Sequence, residues 1–129
     1  AAYTAVDKAE SEREKAFRIN AEAVAVLADE TKKLNACLIH FSTDYVFDGT
    51  KLNAYLEIDK TNPQSVYGKT KLQGEEAIRN SECHHLIFRT SWIYAIRGVN
   101  FAKTIIKLAK NIFNGVIKKT IYKNIANAE

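Results

Sequence analysis

Two side chains in the middle of the chain, Tyr67 and Lys71, have the types and the spacing that acid–base chemistry at a carbonyl group needs. Residues four apart on a helix lie on one face, one turn from each other. A free tyrosine has a pKa of about 10 and is a poor acid at neutral pH. A cation about 4–6 Å away favours the phenolate and is expected to lower that pKa by about 1–3 units. Lys71 would be this cation, and Tyr67 could then protonate a carbonyl oxygen as hydride reaches the carbon.

A hydroxyl group that could hold the same oxygen comes from Thr43, which follows the apolar run 36–41 closely. A nearly continuous apolar run predicts a parallel strand that is covered on both faces. In an open α/β sheet the carboxyl end of such a strand faces the ligand crevice, so Thr43 is expected to lie beside the reacting oxygen. The spacing of Tyr67 and Lys71 is weak evidence by itself, because a surface tyrosine beside a solvated lysine is the common alternative.

Helices and strands alternate along the chain and would bring these side chains together. The helix that carries Tyr67 is expected over about 65–80, after an Asn-Pro turn signal. Apolar periodicity predicts an earlier helix over 6–30, with a break near Ser11 that a capping box with Glu14 would explain. This alternation predicts an α/β architecture with a doubly wound parallel sheet. Its other elements are strands over 36–42 and 84–90, a possible short strand near Tyr55, a helix over 100–112 and an uncertain strand over 116–122.

The same patterns predict which side chains pack inside. The inward-facing residues of the helices are expected to be Phe17, Ala21, Val24, Leu27 and Ala28, then Leu72, Ala77 and Ile78, then Phe101, Ile105, Leu108 and Ile112. Gly74 would permit the close approach of another helix. Cys37 is expected to be an inert core thiol and His40 a satisfied structural histidine. The adjacent His84 and His85 would point to opposite faces of a strand, which argues against a shared metal ion.

The composition is that of an ordinary globular protein. The 129 residues fit one domain, 47% are hydrophobic and 26% charged, and no run approaches the roughly 18 apolar residues of a membrane span. The net charge of +4 comes from lysines spread along the chain, without the basic helix and interleaved aromatic residues of a nucleic-acid-binding protein. The two cysteines lack metal or redox spacing, so a reducing, cytoplasmic setting is expected.

Three segments of the chain resemble a single protein family in their order and spacing. That family is the dTDP-4-dehydrorhamnose reductases, within the extended short-chain dehydrogenase/reductases, and the segments are FSTDYVFDG at 41–49, VYGKTKLQGE at 66–75 and RTSWIY at 89–94. The opening 1–10 and the stretch 98–110 look similar to the family too. The resemblance covers about residues 1–112 and fades beyond Phe113.

This resemblance implies a partial Rossmann-type fold, with a doubly wound parallel sheet and flanking helices. Residues 1–129 would form one fragment of an NAD(P)-binding Rossmann-like domain whose glycine-rich N-terminal half is absent. Without the first strands, apolar faces and a strand edge should be uncovered. The chain alone is therefore expected to bind a dinucleotide weakly or not at all.

The resemblance also implies an activity. Such reductases use NADPH (or NADH) to reduce C4 of dTDP-6-deoxy-L-lyxo-4-hexulose, giving dTDP-L-rhamnose for bacterial surface polysaccharide. By matching position, Tyr67 would be the proton donor, Lys71 would orient the nicotinamide ribose, and Thr43 would polarise the keto oxygen. Further positions match the cofactor-lining residues, at Ala2, Tyr3 and Thr4, and the substrate-contacting residues, at Asp44 and Trp92. Family members can form homodimers with a bound Mg²⁺, for which this stretch shows no ligand cluster, and neither a nucleic acid nor a membrane is an expected partner.

Two other functions stay open. A nucleotide-sugar epimerase or dehydratase shares the superfamily, although dehydratases carry an acidic residue where this chain has Tyr45. A non-catalytic subunit, similar to the regulatory subunit of methionine adenosyltransferase, would use the same fold, and the intact Tyr67 and Lys71 argue against it. Plain core packing is the alternative for Trp92, and capping of the next turn is the alternative for Asp44.

Overall fold

The computed structural model describes residues 2–91 and 102–112. Contacts between Cα atoms divide the chain into two compact units, Ala1–Ser91 and Trp92–Glu129. A single domain over 1–129 stays a prediction. Among the described residues, no helix is long and apolar enough to cross a membrane.

The described part of the second unit is a helix over 102–112. The predicted helix is therefore confirmed, but Ile105, Leu108 and Ile112 are exposed, so the inward packing expected of them is not found. Phe101, Trp92 and the strand expected over 116–122 lie outside the described residues.

The first unit begins with a helical region that is broken into pieces. Helix α1 spans Val6–Ala9, α2 spans Arg13–Phe17 and α3 spans Ala23–Lys33, and the π-helical turn Arg18–Glu22 joins α2 to α3. The predicted break near Ser11 is confirmed. The predicted capping box is wrong, because Ser11 Oγ donates to the Lys8 carbonyl and the residue before α2 makes no side-chain cap.

The wider π turn changes which residues of this region face inward. Ala21, Val24 and Ala28 are buried as predicted, whereas Leu27 is 57% exposed. A π turn holds more residues than an α turn and shifts the phase of the helix that follows. The apolar stripe therefore continues through Val24 and Ala28 and leaves Leu27 at its edge.

Within residues 2–91 and 102–112, the sheet has two strands, β1, Cys37–Thr43, and β2, His84–Thr90. They run parallel, with Cys37 opposite His84 and Thr43 opposite Thr90. Both predicted strands and their parallel pairing are confirmed. Their carboxyl ends meet at one edge, which is where polar side chains of a parallel sheet come together.

Among the described residues, helices cover one face of this sheet. Leu38 and Ile87 pack against a core cluster of Val24, Ala28, Ile78 and Cys83. On the opposite face Ile39, Phe41, Leu86 and Phe88 are exposed, and the rings of Phe41 and Phe88 stack 5.9 Å apart. The prediction of cover on both faces is wrong for this chain, and so is the buried thiol expected at Cys37, which is exposed. The uncovered apolar face that the resemblance implied is confirmed.

Helix α4 spans Val66–Ser81, close to the predicted range, and it carries Tyr67 and Lys71. Ser65 caps it by accepting a hydrogen bond from the Gly68 amide at 3.0 Å. A Cβ added at Gly74 would collide with the Asn20 carbonyl of the π turn. The predicted close approach at Gly74 is therefore confirmed, and the glycine lets α4 lie directly against the first helical region.

The loop between β1 and α4 is ordered by Asp48 rather than by a strand. Its carboxylate accepts hydrogen bonds from the Thr50 amide and hydroxyl, the Tyr55 hydroxyl and the Asn62 amide. These bonds, that from the Thr50 amide foremost, hold the pKa of Asp48 far below its usual range. No strand forms near Tyr55 within this described loop, so that prediction is wrong. The ring of Tyr55 instead stacks on Phe47, with the ring centroids 4.2 Å apart.

Candidate active site

The tyrosine and the threonine singled out from the sequence meet at the carboxyl end of β1. Thr43 is the last residue of β1 and is buried, and Tyr67 lies half-buried in the first turn of α4. The Thr43 hydroxyl lies near enough to the Tyr67 phenol to lower the pKa of that phenol. The two hydroxyl groups can therefore address one oxygen atom at this edge of the sheet.

Thr43 is itself held in place by its neighbours. Its Oγ1 donates to the Asp44 carboxylate at 3.1 Å and accepts from the Tyr45 amide at 3.2 Å. Thr43 thus caps the short 3₁₀ turn Asp44–Val46 that follows β1. The sequence suggested that Asp44 could cap this turn, but Thr43 provides the cap. Asp44 is left exposed at the surface, where its substrate contact stays a prediction.

Lys71 shares the helix face of Tyr67, but its ammonium group is directed at the strand backbone. The residue is 2% exposed, and Nζ donates to the Phe41 carbonyl at 2.7 Å and lies 3.2 Å from His40 Nε2. Burial lowers the pKa of Lys71, since a desolvated ammonium is costly, and the Glu75 carboxylate opposes this shift. The lysine is thus fixed beneath β1.

The pKa of Tyr67 is raised rather than lowered. Burial of the phenol is the main cause of the raised pKa, the charge of Asp44 and the neighbouring Tyr45 add to it, and only the Thr43 hydroxyl opposes it. Lys71 is absent from the described residues that shift the pKa of Tyr67. The prediction that Lys71 makes Tyr67 more acidic is therefore wrong for this chain, because the ammonium is turned to the Phe41 carbonyl. The phenol therefore carries its proton at neutral pH, as a free tyrosine does, and it is a weaker acid than a free tyrosine.

The ring of Tyr67 is oriented by aromatic and apolar neighbours. It meets the ring of Tyr45 edge to face, with centroids 5.6 Å apart and planes at 79°. It also packs against a buried cluster of Tyr3, Ala9 and Ala16. Glu10 supports the same turn by accepting a hydrogen bond from the Val66 amide at 2.8 Å. These contacts fix the direction of the phenol.

The segment predicted to line a cofactor, Ala2 to Thr4, is pinned at its centre. Tyr3 is buried, its amide donates to Asn20 Oδ1 at 2.9 Å, and its carbonyl accepts from Asn20 Nδ2 at 3.1 Å. Ala2 and Thr4 on either side are exposed. The segment therefore offers two exposed residues on a fixed backbone, and its role in holding a cofactor stays a prediction.

Asn20 is a site residue that the sequence interpretation missed. It is 1% exposed, and its Nδ2 also lies 3.2 Å from Thr70 Oγ1, which donates to the Tyr67 carbonyl at 2.9 Å. One amide side chain thus ties the segment at Tyr3 to the turn of α4 that carries Tyr67. The signal for it was a polar residue on an otherwise apolar helix face.

Glu75 and Arg89 form a second feature that was missed. The Glu75 carboxylate is fully buried and accepts from Arg89 at 3.0 and 2.7 Å and from Arg79 at 2.8 Å. Burial alone would raise the pKa of Glu75, but the bonds from Arg89 and the charge of Arg79 hold it below its usual value. Glu75 follows Lys71 by one helical turn, so the spacing that singled out Lys71 also marked Glu75 as facing the sheet.

This ion pair joins three elements around the candidate site. Arg89 lies on β2, Glu75 lies on α4, and the Arg89 guanidinium sits 4.9 Å from the centroid of the Phe47 ring. Two clefts of about 510 and about 370 Å³ flank the stacked rings of Phe47 and Tyr55, and Asp44 lines both. Tyr67 and Thr43 do not line these two clefts, and Asp44 is the predicted site residue that connects the clefts to the carboxyl end of β1.

The described residues hold no group of three or more histidine, cysteine or acidic side chains that could bind a metal ion. His84 is exposed and His85 is half-buried with Nδ1 2.8 Å from the Cys83 carbonyl, as expected for residues on opposite faces of a strand. Trp92, the remaining predicted site residue, lies outside the described residues.

Comparison with known proteins gives this arrangement a family. The profile of the RmlD substrate binding domain matches residues 1–114. The chain is 54% identical over 110 residues to the dTDP-4-dehydrorhamnose reductase of Salmonella typhimurium strain LT2, which covers 85% of this chain and 37% of that protein. The chain thus spans little more than a third of the length of this relative.

Two solved structures resemble the chain in sequence and in fold. A dTDP-4-dehydrorhamnose reductase of Clostridium acetobutylicum shares 45% identity with a TM-score of 0.83, over 86% of this chain and 39% of that one. The enzyme of the same name from Bacillus anthracis, solved in complex with NADP, shares 41% identity with a TM-score of 0.82, over 86% and 40% of the two chains. The partial Rossmann-type α/β fold is confirmed by these neighbours, and the chain belongs to the RmlD substrate binding domain family.

Proposed function

We propose that this chain carries the proton-donating part of a dTDP-4-dehydrorhamnose reductase. The whole protein would reduce the C4 ketone of dTDP-6-deoxy-L-lyxo-4-hexulose with NADPH to give dTDP-L-rhamnose. The observation that carries this proposal is the meeting of the Tyr67 phenol and the Thr43 hydroxyl at the carboxyl end of a parallel strand. The reductases that share its sequence, one of them solved with NADP, support the choice of reaction and cofactor.

In this mechanism the chain supplies the proton and holds the ketone oxygen. Thr43 would donate its hydroxyl proton to the oxygen once the substrate displaces the bond to Asp44, and so polarise the ketone. Tyr67, which carries its proton at neutral pH, would give that proton to the same oxygen as negative charge develops there. The bound NADPH would supply the hydride to C4. Asp44 would contact the sugar from the exposed side of the site, and Trp92 would contact the substrate as well.

The residues at the site fit a dinucleotide on chemical grounds. The buried ammonium of Lys71 is a donor suited to ribose hydroxyl groups, and Ala2 and Thr4 are exposed on either side of the pinned Tyr3. The similar reductase that was solved in complex with NADP supports a dinucleotide as the cofactor. Lys71, Tyr67 and the segment 2–4 would therefore hold the cofactor.

Further properties of the whole protein are proposed on narrower grounds. A cytoplasmic location fits the two free cysteines, Cys37 and Cys83, since disulfides are rare in reducing compartments. A homodimer and a bound Mg²⁺ are supported by the family resemblance alone. The dTDP-sugar is the proposed partner, with neither nucleic acid nor membrane.

The test is a product analysis of the whole protein with the 4-keto sugar and NADPH. The proposal expects one dTDP-L-rhamnose formed for each NADPH consumed. Conversion of the sugar without net consumption of NADPH would identify an epimerase, and loss of water would identify a dehydratase. Cofactor binding without any conversion would indicate the non-catalytic subunit. Each of these three results would contradict the proposal.

A further inference from the structure

A histidine that the proposed mechanism does not use lies directly against Lys71. His40 is half-buried in β1, and its Nε2 is 3.2 Å from Lys71 Nζ. An ammonium group has donors and no acceptor, so His40 Nε2 must accept in this pair. The ring proton therefore belongs on Nδ1, and the imidazole is neutral.

The surroundings of the ring favour this neutral form. Burial is the main cause that lowers the pKa of His40, to about 4, and the charge of Lys71 adds to it. The Glu75 carboxylate, one turn further along α4, acts in the opposite direction. A protonated His40 would place two cations 3.2 Å apart, which the contact with Lys71 does not allow.

Two acceptors on neighbouring residues of one strand define where the ammonium lies. The Phe41 carbonyl takes one N–H at 2.7 Å and the His40 imidazole takes another. Fixing two donor directions of a tetrahedral ammonium fixes the third as well. Lys71 is the buried residue that the proposed function assigns to the nicotinamide ribose, so its direction bears on cofactor binding.

We propose that His40 is a positioning residue of the reductase, whose neutral imidazole holds the Lys71 ammonium, together with the Phe41 carbonyl, in the orientation that serves the cofactor. The expected effect of His40 on NADPH binding rests on the proposed function, whereas the contact between His40 and Lys71 does not depend on it. An apolar side chain at position 40 could fill the same space beside Leu38 but would leave the buried ammonium with one acceptor fewer.

The contact is tested on this 129-residue chain by nuclear magnetic resonance of ¹⁵N-labelled histidine. The chain has three histidines, and His84→Gln and His85→Gln assign the signals. The expected result is a His40 ring with its proton on Nδ1 that stays neutral until the pH approaches about 4. Lys71→Met should then move the His40 pKa upward, and Lys71→Gln repeats the test with a polar side chain.

Three results would overturn the contact. They are a His40 that titrates near the ordinary imidazole value of about 6.5, a proton on Nε2 of the neutral ring, and a His40 pKa that neither Lys71 variant moves. The tautomer is read from the unsubstituted chain, so it decides the matter even if both variants fail to fold.

The kinetic consequence is tested in the whole protein with His40→Leu and the matched His40→Gln. Leucine removes the acceptor and should raise KM for NADPH about tenfold with a smaller change in kcat, the loss expected for one hydrogen bond to a charged group. Glutamine offers an oxygen to Lys71 and should restore KM. Equal KM values for the two variants would overturn the positioning role. Absence of turnover in the unsubstituted protein would overturn the proposed function, and the ¹⁵N signals would still decide the contact.

Discussion

Replacing Glu75 by glutamine removes the buried negative charge that joins α4 to β2. Glu75 has no exposed surface, and the side chain of Arg89, its partner in two hydrogen bonds, is 16% exposed. Glu75→Gln keeps the size of the side chain but leaves the Arg89 guanidinium buried without a counter-charge. Breaking a buried ion pair in this way costs about 3–5 kcal/mol.

The lower end of that range applies here for two structural reasons. Glutamine retains one acceptor oxygen for Arg89, and the second partner, Arg79, has a side chain that is 47% exposed and screened by water. We therefore expect a loss of about 3 kcal/mol in the free energy of unfolding. With a slope of about 2 kcal/mol per molar urea, the unfolding midpoint should fall by about 1.5 M.

Urea unfolding, followed by circular dichroism at low protein concentration, measures this loss. Glu76→Gln is the matched control, because Glu76 is the exposed neighbour on the same helix, and it should change stability by less than about 0.5 kcal/mol. Adding Arg89→Met to Glu75→Gln should recover part of the loss, since the uncompensated charge is then gone. A Glu75→Gln variant within about 1 kcal/mol of the unsubstituted chain would refute the reasoning.

Three further predictions concern packing, pH and cofactor binding. Gly74→Ala should destabilise the chain by about 1–3 kcal/mol in the same urea assay, because its Cβ meets the Asn20 carbonyl, and an unchanged midpoint would contradict the close packing. The free energy of unfolding should fall by about 1 kcal/mol between pH 6.5 and about 5, above the range in which carboxylates take up protons, because the unfolded chain takes up a proton that folded His40 excludes, and His40→Gln should remove the slope in this range. Calorimetric titration of this chain with NADPH should show weak binding or none, and micromolar affinity would contradict this.

Much of the secondary structure was predictable from the sequence, because its signals are local. β1 and β2 are short apolar runs rich in residues that favour strands, and α4 begins at a serine cap after an Asn-Pro turn. The close approach at Gly74 was also predictable. A glycine inside a helix lowers stability, and close packing against another helix can offset that loss. These features need no knowledge of the rest of the molecule.

Errors arose where a side chain has more than one possible partner. The spacing of Tyr67 and Lys71 placed both on one helix face, but it could not show that the ammonium bonds to the Phe41 carbonyl instead of approaching the phenol. The direction of the Tyr67 pKa was wrong for that reason. A long lysine side chain reaches several acceptors, and only the strand beneath α4 decides among them.

Features that depend on contacts between residues distant in sequence could not be predicted from local sequence patterns. Asn20 bonds to Tyr3 and to Thr70. In the local sequence it looks like any polar residue on a helix, because both partners are distant along the chain. The exposure of Leu27 follows from the π turn before it, which periodicity at 3.6 residues does not anticipate. The open sheet face at Phe41, by contrast, was anticipated because the resemblance implied missing strands.

The central claim is that the Tyr67 phenol gives its proton to the ketone oxygen, and the rate of reduction by Tyr67→Phe in the whole protein tests it most directly. Phenylalanine keeps the packing against Tyr45 and the Tyr3 cluster and removes only the proton donor. The account predicts that kcat falls by more than about a hundredfold while NADPH affinity changes little, and that the matched Tyr45→Phe keeps most of its turnover. A Tyr67→Phe enzyme within about tenfold of the unsubstituted rate, a difference of roughly 1.4 kcal/mol in transition-state stabilisation, would contradict the claim.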